Sequence, residues 1–220
     1  MEIILKLLSK YSNVFIDGLF GTLWLAAVTV CIGTVLGVLI ALMRMSKVKV
    51  VSGISTVYIE ILRGTPVLLQ LYFFWIGLPK FLPFFNLSDT ACIVIALVIN
   101  SSAYISEIIR AGINAVDRGQ WEAARSLGLT PSHVMTRVIL PQATKNILPA
   151  LGNQFIAMVK ETSLASVFFV GELTTSYKTV QSVTYRALEP LIIVGIIYLI
   201  LNFVLSKLVS ILERRLQVSD

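Results

Sequence analysis

Charge is scarce in this 220-residue sequence: 14% of its residues are Asp, Glu, Lys or Arg, against 56% that are hydrophobic. Soluble domains carry about 25% charged residues, so the composition excludes an ordinary water-soluble globule. Histidine is represented by His133 alone, and the two cysteines, Cys31 and Cys92, lie inside apolar runs. Nothing in their spacing makes a metal ligand set or a redox pair, so both thiols are expected to be small buried hydrophobes. The G-x-x-x-x-G-K-[ST] phosphate loop is missing, as is any motif joining a nucleophile, a base and an oxyanion donor. No catalytic residue, metal or cofactor of the chain's own is expected. The N-terminus has no small-residue cleavage pattern, and the apolar run behind it is too long for a secretory signal.

What fills the sequence is apolar runs of membrane length. Mean hydropathy is +0.86. Five runs suited to a bilayer core of about 30 Å predict an all-α, polytopic membrane protein, with residues 1–220 as one transmembrane domain. An amphipathic segment, Met1 to Asn13, leads in, with Ile3, Ile4, Leu7 and Leu8 on one face. The first span covers about Val14 to Met43, and its Gly33-x-x-x-Gly37 spacing predicts close helix packing. The second runs from Ser55 to Leu78, the third from Asp89 to Ile109 and the fifth from Pro190 to Leu208. The fourth opens at Asn146 to Pro149, is interrupted at Lys160-Glu161-Thr162-Ser163 and resumes over Leu164 to Val170. Basic residues gather after the first span (Arg44, Lys47, Lys49), after the third (Arg110, Arg118, Arg125, Arg137, Lys145) and at the end of the fifth (Lys207, Arg214, Arg215). By the positive-inside rule the N-terminus faces outside and the C-terminus faces the cytoplasm. The formal charge of +6 therefore reports orientation, and no nucleic-acid partner is expected.

Polar residues within spans are costly in lipid and mark helix packing or a solute path. In the second span Pro66 frees the carbonyl four residues earlier and predicts a bend, Glu60 and Arg63 stand one turn apart, and Gln70 follows. In the third, Asn100 and Tyr104 share a helix face directed at a cavity or another helix, with Ser101, Ser102 and Ser106 as packing contacts. Counted from Ile147, Lys160 lies about 20 Å along a helix, near or beyond the bilayer middle, and Glu161 points about 100° away from it. Two readings stay open. Either an ion pair ends the helix at the outer surface, or both groups line a central cavity with Asn100 and Tyr104.

The best punctuated stretch is the cytoplasmic loop, residues 110–145. Asp117 is a natural N-cap, with Gln120 at the reciprocal position of a capping box, so a helix starts at about Arg118. Gly128 ends it, Thr130 caps a second short helix, and Pro131 is that helix's first residue. Ala123, Ala124 and Leu127 give the first helix a small apolar edge beside Arg118, Glu122 and Arg125. Such an edge fits another protein's groove or, as the alternative, the lipid headgroups.

Glu122-Ala123-Ala124, followed by Gly128 and by Leu140-Pro141, resembles the EAA loop of bacterial ABC importer permeases. The runs Arg63-Gly64-Thr65-Pro66, Ile105-Ser106-Glu107-Ile108-Ile109-Arg110-Ala111-Gly112, Leu140-Pro141-Gln142-Ala143 and Lys160-Glu161-Thr162-Ser163-Leu164 are similar to the polar amino acid subfamily, the group with histidine, glutamine, arginine and cystine systems. The resemblance implies a type I importer permease of five membrane helices with a coupling-helix loop. It implies transport of polar amino acids by alternating access in the bacterial cytoplasmic membrane. The implied partners are a second permease, identical or homologous, two ABC ATPase subunits that bind ATP and Mg, and an extracytoplasmic solute-binding protein. On the same basis Glu122, Ala123, Ala124, Arg125 and Gly128 are assigned to ATPase coupling. Gln70, Asn100, Tyr104, Lys160 and Glu161 are the candidates for solute binding. Glu161 suits a cationic side chain or an α-ammonium group, which puts basic amino acids first, while Lys160 argues against a cavity for cations only. Two other classes are weighed: a secondary transporter, for which inverted repeats are missing, and a scaffold in which Lys160 and Glu161 only pair with each other.

Overall fold

The computed structural model describes residues 2–217, whose regular elements are all helical. In chain order they are α1 (Glu2–Lys10), α2 (Ser12–Arg44), α3 (Lys49–Gly64), α4 (Val67–Phe81), α5 (Asp89–Asn114), α6 (Arg118–Ser126), α7 (Pro131–His133), α8 (Leu140–Glu161), α9 (Leu173–Thr184) and α10 (Leu188–Gln217). A π segment covers Val134–Ile139, and 3-10 turns cover Pro83–Phe85 and Thr162–Phe168.

The centre of the bundle is the pair α2 and α5. Small residues make their approach possible: the α2 face buried against α5 includes Thr29, Gly33, Gly37 and Ala41. A Cβ added at Gly33 would lie 3.3 Å from the Ser101 Cβ, and one at Gly37 would lie 2.7 Å from Ile105 Cγ2. The expected glycine-mediated packing is therefore present. Gly37→Val should overpack the seam by about 1–3 kcal/mol and lower the melting temperature of the detergent-purified protein by several degrees. Gly53→Ala is the control, because an added carbon there meets nothing and the helix gains propensity. Around this seam the main core joins Leu25 and Ala26 of α2, Leu71 of α4, Ile93 and Leu97 of α5, Met158 and Val159 of α8, and Phe168.

The second expected span is broken rather than bent. Thr65 and Pro66 are both extended (ψ 147° and 134°), as steric pressure on the residue before proline favours, and the axis bends by 109° from α3 into α4. The fourth expected span differs too, since helix starts at Pro131 and passes through the π segment directly into α8. Leu140-Pro141 thus lies inside a continuous helical stretch. Beyond Glu161 the chain tightens into the 3-10 turn, and Phe169 reverses it with φ 55° before α9.

Among the described residues three helices are long and apolar enough to cross a membrane, Ser12–Arg44, Asp89–Asn114 and the α10 stretch Leu188–Leu216, and α3 with α4 makes a fourth if the bent pair counts as one. The chain is multi-pass, with three or four such crossings where the sequence led us to expect five. The difference lies in α8, whose 22 residues include Pro149, Asn153, Gln154, Lys160 and Glu161.

Candidate functional site

Two regions hold the residues singled out by sequence. The first is a platform built on the α5–α8 connection. Asp117 Oδ1 accepts the Gly119 N–H at 2.7 Å and starts α6 as expected. The reciprocal half of the capping box does not form, because the Gln120 side chain turns to Gln142 (3.5 Å). At the other end Gly128 takes φ 81°, its N–H donates to the Arg125 carbonyl, and the Leu129 N–H donates to the Ala124 carbonyl. This pairing closes a Schellman motif, which needs the left-handed conformation that glycine adopts at least cost. Thr130 Oγ1 then accepts the His133 N–H and caps α7.

Beneath α6 lies a separate small core: Ile113 from the end of α5 and Val116 just beyond it, Ala124 from α6, Val134 and Ile139 from the π segment, and Ala143 from α8, with Trp121 and Leu129 packed around them. The platform is thereby one body with the inner ends of two bundle helices. Ala124 is 5% exposed and faces this core, so it cannot lie on an outward docking edge. The outward edge consists of Glu122, Ala123, Arg125 and Leu127, the last 82% exposed. Behind the platform a cavity of about 370 Å³ is bordered by Asp117, Gln142, Asn146 and Glu213.

The second region surrounds the break at Thr65–Pro66. The carbonyl freed by Pro66 belongs to Leu62, and Gln70 Nε2 donates to it at 2.8 Å and to Thr65 Oγ1 at 2.8 Å. Asn100 Nδ2 donates to Gln70 Oε1 at 2.9 Å and lies 3.4 Å from the same Leu62 carbonyl. Gln70 and Asn100 are both buried. They brace the break, a role that the sequence reading as solute contacts did not include. Gln70→Leu should leave the Leu62 carbonyl short of a donor at a cost of about 1–3 kcal/mol. Hydrogen exchange of the first amides of α4 should then quicken, and unchanged exchange there would remove the brace from the account.

One turn inward, the Arg63 guanidinium lies over the Tyr104 ring (5.4 Å) and 3.7 Å from Glu107, whose carboxylate also receives two hydrogen bonds from Arg110. Arg63 therefore pairs with Glu107 on α5, and the expected approach to Glu60 on its own helix is replaced by this cross-helix tie. Tyr58 adds another through Ser102 Oγ (2.7 Å), which bears out the packing role expected of that serine. Lys160 and Glu161 diverge. Lys160 is exposed and lines an open groove with Tyr198, Asn202 and Ser206 of α10. Glu161 is partly buried, and among the described residues its Oε2 has no hydrogen-bond partner, nor has the buried Oδ1 of Asn100. The five solute candidates thus fall into a buried brace, an inner cation–aromatic contact and two separate faces of α8.

Sequence reasoning passed over Glu172, which is fully buried. Its carboxylate accepts the N–H groups of Thr174 (2.7 Å) and Thr175 (2.6 Å), the Thr175 hydroxyl (3.0 Å) and the Tyr198 hydroxyl (3.0 Å). A capping signal was available, an acidic residue two and three positions ahead of two threonines, but the partner on α10 is 26 residues away.

Comparison with known proteins follows the same outline. The family described as binding-protein-dependent transport system inner membrane component matches residues 33–218. The arginine transport system permease protein ArtQ of Bacillus subtilis (strain 168) is 40% identical over 93% of this chain and 93% of its own length. The glutamine transport system permease protein GlnP of Escherichia coli (strain K12) is 36% identical, covering 92% and 93%. A crystal structure of an amino acid ABC transporter with histidines contains a chain 51% identical to this one, with a TM-score of 0.90 over 94% of this chain and 96% of that one. The inward-facing MetNI methionine ABC transporter shares the fold at 18% identity and a TM-score of 0.77, covering 92% and 96%.

Proposed function

Since this chain belongs to the binding-protein-dependent transport system inner membrane component family, we propose that it is the permease for polar amino acids, with basic ones foremost, in an ATP-driven importer of the bacterial cytoplasmic membrane. Permeases of this family are not themselves catalytic, so hydrolysis belongs to a separate ATPase pair that binds ATP and Mg. An extracytoplasmic binding protein delivers the solute, and a second permease, identical or homologous, completes the pathway. Residues 1–220 act as one domain with the loop 110–145 as its coupling element. The N-terminus lies outside and the C-terminus in the cytoplasm, which requires an odd number of crossings and makes α8 the fourth of five in chain order. At 22 residues α8 is about 33 Å long, enough for one crossing, and it packs against α2, α5 and α10 with Gln154 and Glu161 half-buried and Asn153 and Lys160 left exposed.

The observation that carries this reading is the small core shared by α6 with the inner ends of α5 and α8. When the ATPase dimer closes, force on Glu122, Ala123, Arg125 and Leu127 moves α6, and the shared core transmits that displacement to both helices. Ala124 and Gly128 contribute by seating and ending α6. α5 in turn carries α3 and α4 through the Arg63–Glu107 and Gln70–Asn100 contacts, so access shifts from the outer to the inner side at the Thr65–Pro66 break. No covalent step occurs in this subunit.

Within the solute path the unpartnered acceptors Glu161 Oε2 and Asn100 Oδ1 support a donor-rich, cationic guest such as a guanidinium or ammonium group. Tyr104 and Gln70 lie beside the moving break, and Lys160 is suited to the solute carboxylate. The test is direct amino-acid binding to the reconstituted permease–ATPase assembly without binding protein. Arginine should bind saturably, and Glu161→Gln should weaken it about tenfold or more while glutamine binding changes little. Equal arginine affinity in the two proteins would remove Glu161 from the site.

A further inference from the structure

The turn joining α4 to α5 exposes four large apolar side chains in a row of five: Phe81 (73%), Leu82 (43%), Phe84 (99%) and Phe85 (70%). It is a formed structure. The Leu82 N–H donates to the Leu78 carbonyl at 2.8 Å, Pro83 starts the 3-10 turn, and Asn86 closes it in the left-handed conformation at φ 41°. Trp75 Nε1 donates to Asp89 Oδ1 at 2.8 Å, which ties the body of α4 to the start of α5. Among the described residues nothing packs over the Phe84 ring.

How far this turn stands from the membrane follows from the break. α3 has 16 residues and α4 has 15, so they are about 24 Å and 22 Å long. Joined in a straight line they would reach about 46 Å, well beyond a bilayer core of roughly 30 Å. Bent by 109° from a straight line, they reach only about 27 Å from end to end, plus the two residues of the break. That chord is the most the pair can advance along the membrane normal, so, starting at Lys49 behind the inner basic cluster of Arg44 and Lys47, it ends no farther out than about the outer edge of the hydrocarbon. It does not clear the membrane, so the phenylalanines lie where acyl chains meet headgroups. Lys80 is exposed on the last turn of α4, one residue before the cluster, and its four-carbon stem allows the ammonium to reach lipid phosphates.

From this geometry we propose that Phe81–Phe85 is a lipid-inserted anchor in the outer leaflet, its rings in the acyl boundary and Lys80 on the phosphates. The anchor fixes the outer end of the broken span, so displacement of the inner end is converted into a change of angle at Thr65–Pro66. The inference rests on the membrane orientation proposed above.

A nitroxide label attached through Phe84→Cys, and separately through Phe85→Cys, in a Cys31→Ala/Cys92→Ala background tests it in the bilayer-reconstituted permease–ATPase assembly. Collision with oxygen, which partitions into lipid, should exceed collision with a water-soluble nickel chelate severalfold at both positions. Dominant nickel collision would overturn the anchor. So would nickel access lost only when loaded binding protein is added, which would make the turn a protein-docking surface, or protection from both agents, which would bury it against the second permease. Stimulation of ATP hydrolysis by loaded binding protein, measured on the same labelled assembly, reports on the transport reading independently of where the label sits. A labelled protein that is stimulated normally yet nickel-accessible therefore refutes the anchor alone.

Discussion

Glu172→Leu is expected to leave little folded permease. Three elements meet at this carboxylate: it caps α9, holds the Tyr198 hydroxyl of α10, and lies next to Leu173, whose N–H donates to Thr22 of α2 at 3.1 Å. Leucine fills the space but accepts nothing, so in a fully buried site two backbone N–H groups and the Tyr198 hydroxyl lose this acceptor, while the Thr175 hydroxyl keeps the Val170 carbonyl at 2.7 Å. At about 1–3 kcal/mol for each donor stranded there, the loss is on the order of 3–5 kcal/mol, a large part of the whole stability of an ordinary domain. Glu172→Gln keeps one acceptor oxygen and should be milder, at about 1–2 kcal/mol. The check is the yield of monodisperse protein in detergent together with its melting temperature. Near-normal yield and melting for the leucine variant would show that α9 is held by its apolar contacts, Leu173 and Val180, rather than by the cap.

The second large effect concerns the platform, where adjacent residues should fail in different ways. Ala124→Glu puts a charge into the core of Ile113, Val116, Val134, Ile139 and Ala143, with no partner there to receive it. The cost, about 3 kcal/mol or more, should unseat α6 in the permease alone, seen as faster proteolysis of the loop before any ATPase is added. Leu127→Asp changes a side chain that is 82% exposed and should leave the isolated permease as stable and protease-resistant as the parent. Transport by the assembly should nevertheless fall at least tenfold, because the apolar edge offered to the ATPase groove now carries a charge that docking must desolvate. If Leu127→Asp transports normally, α6 engages the ATPase through another face.

The contrast between these residues also shows what could be read from the sequence. The caps at Asp117, Gly128 and Thr130 are local signals, and they placed α6 correctly because a helix end is decided by a few neighbouring residues. The Gly33 and Gly37 spacing was legible for the same reason. The direction of Ala124 was not, because one residue is about 100° of rotation, and only the small core beneath α6 decides which alanine turns inward. The break at Pro66 was visible as a freed carbonyl, but its full 109° was not. A proline kink becomes a break when side chains supply the missing donors, and here they come from Gln70, eight residues on, and Asn100, thirty-eight residues on. Arg63 could be matched with Glu60 from spacing, yet a cross-helix partner, Glu107, took it. The number of crossings was overcounted relative to what length and apolarity support, because Asn146, Asn153, Gln154, Lys160 and Glu161 interrupt the apolar pattern of α8.

The central claim is that this subunit moves amino acids because a separate ATPase pushes on α6. Its most direct test is uptake of labelled arginine into proteoliposomes containing this chain and its ATPase partner, with ATP inside or outside and loaded binding protein on the opposite side. The account predicts uptake that requires both ATP and binding protein, that is insensitive to collapse of ion gradients, and that is lost in Leu127→Asp while the assembly's protein content is unchanged. Arginine uptake driven by an imposed ion gradient without ATP would contradict it.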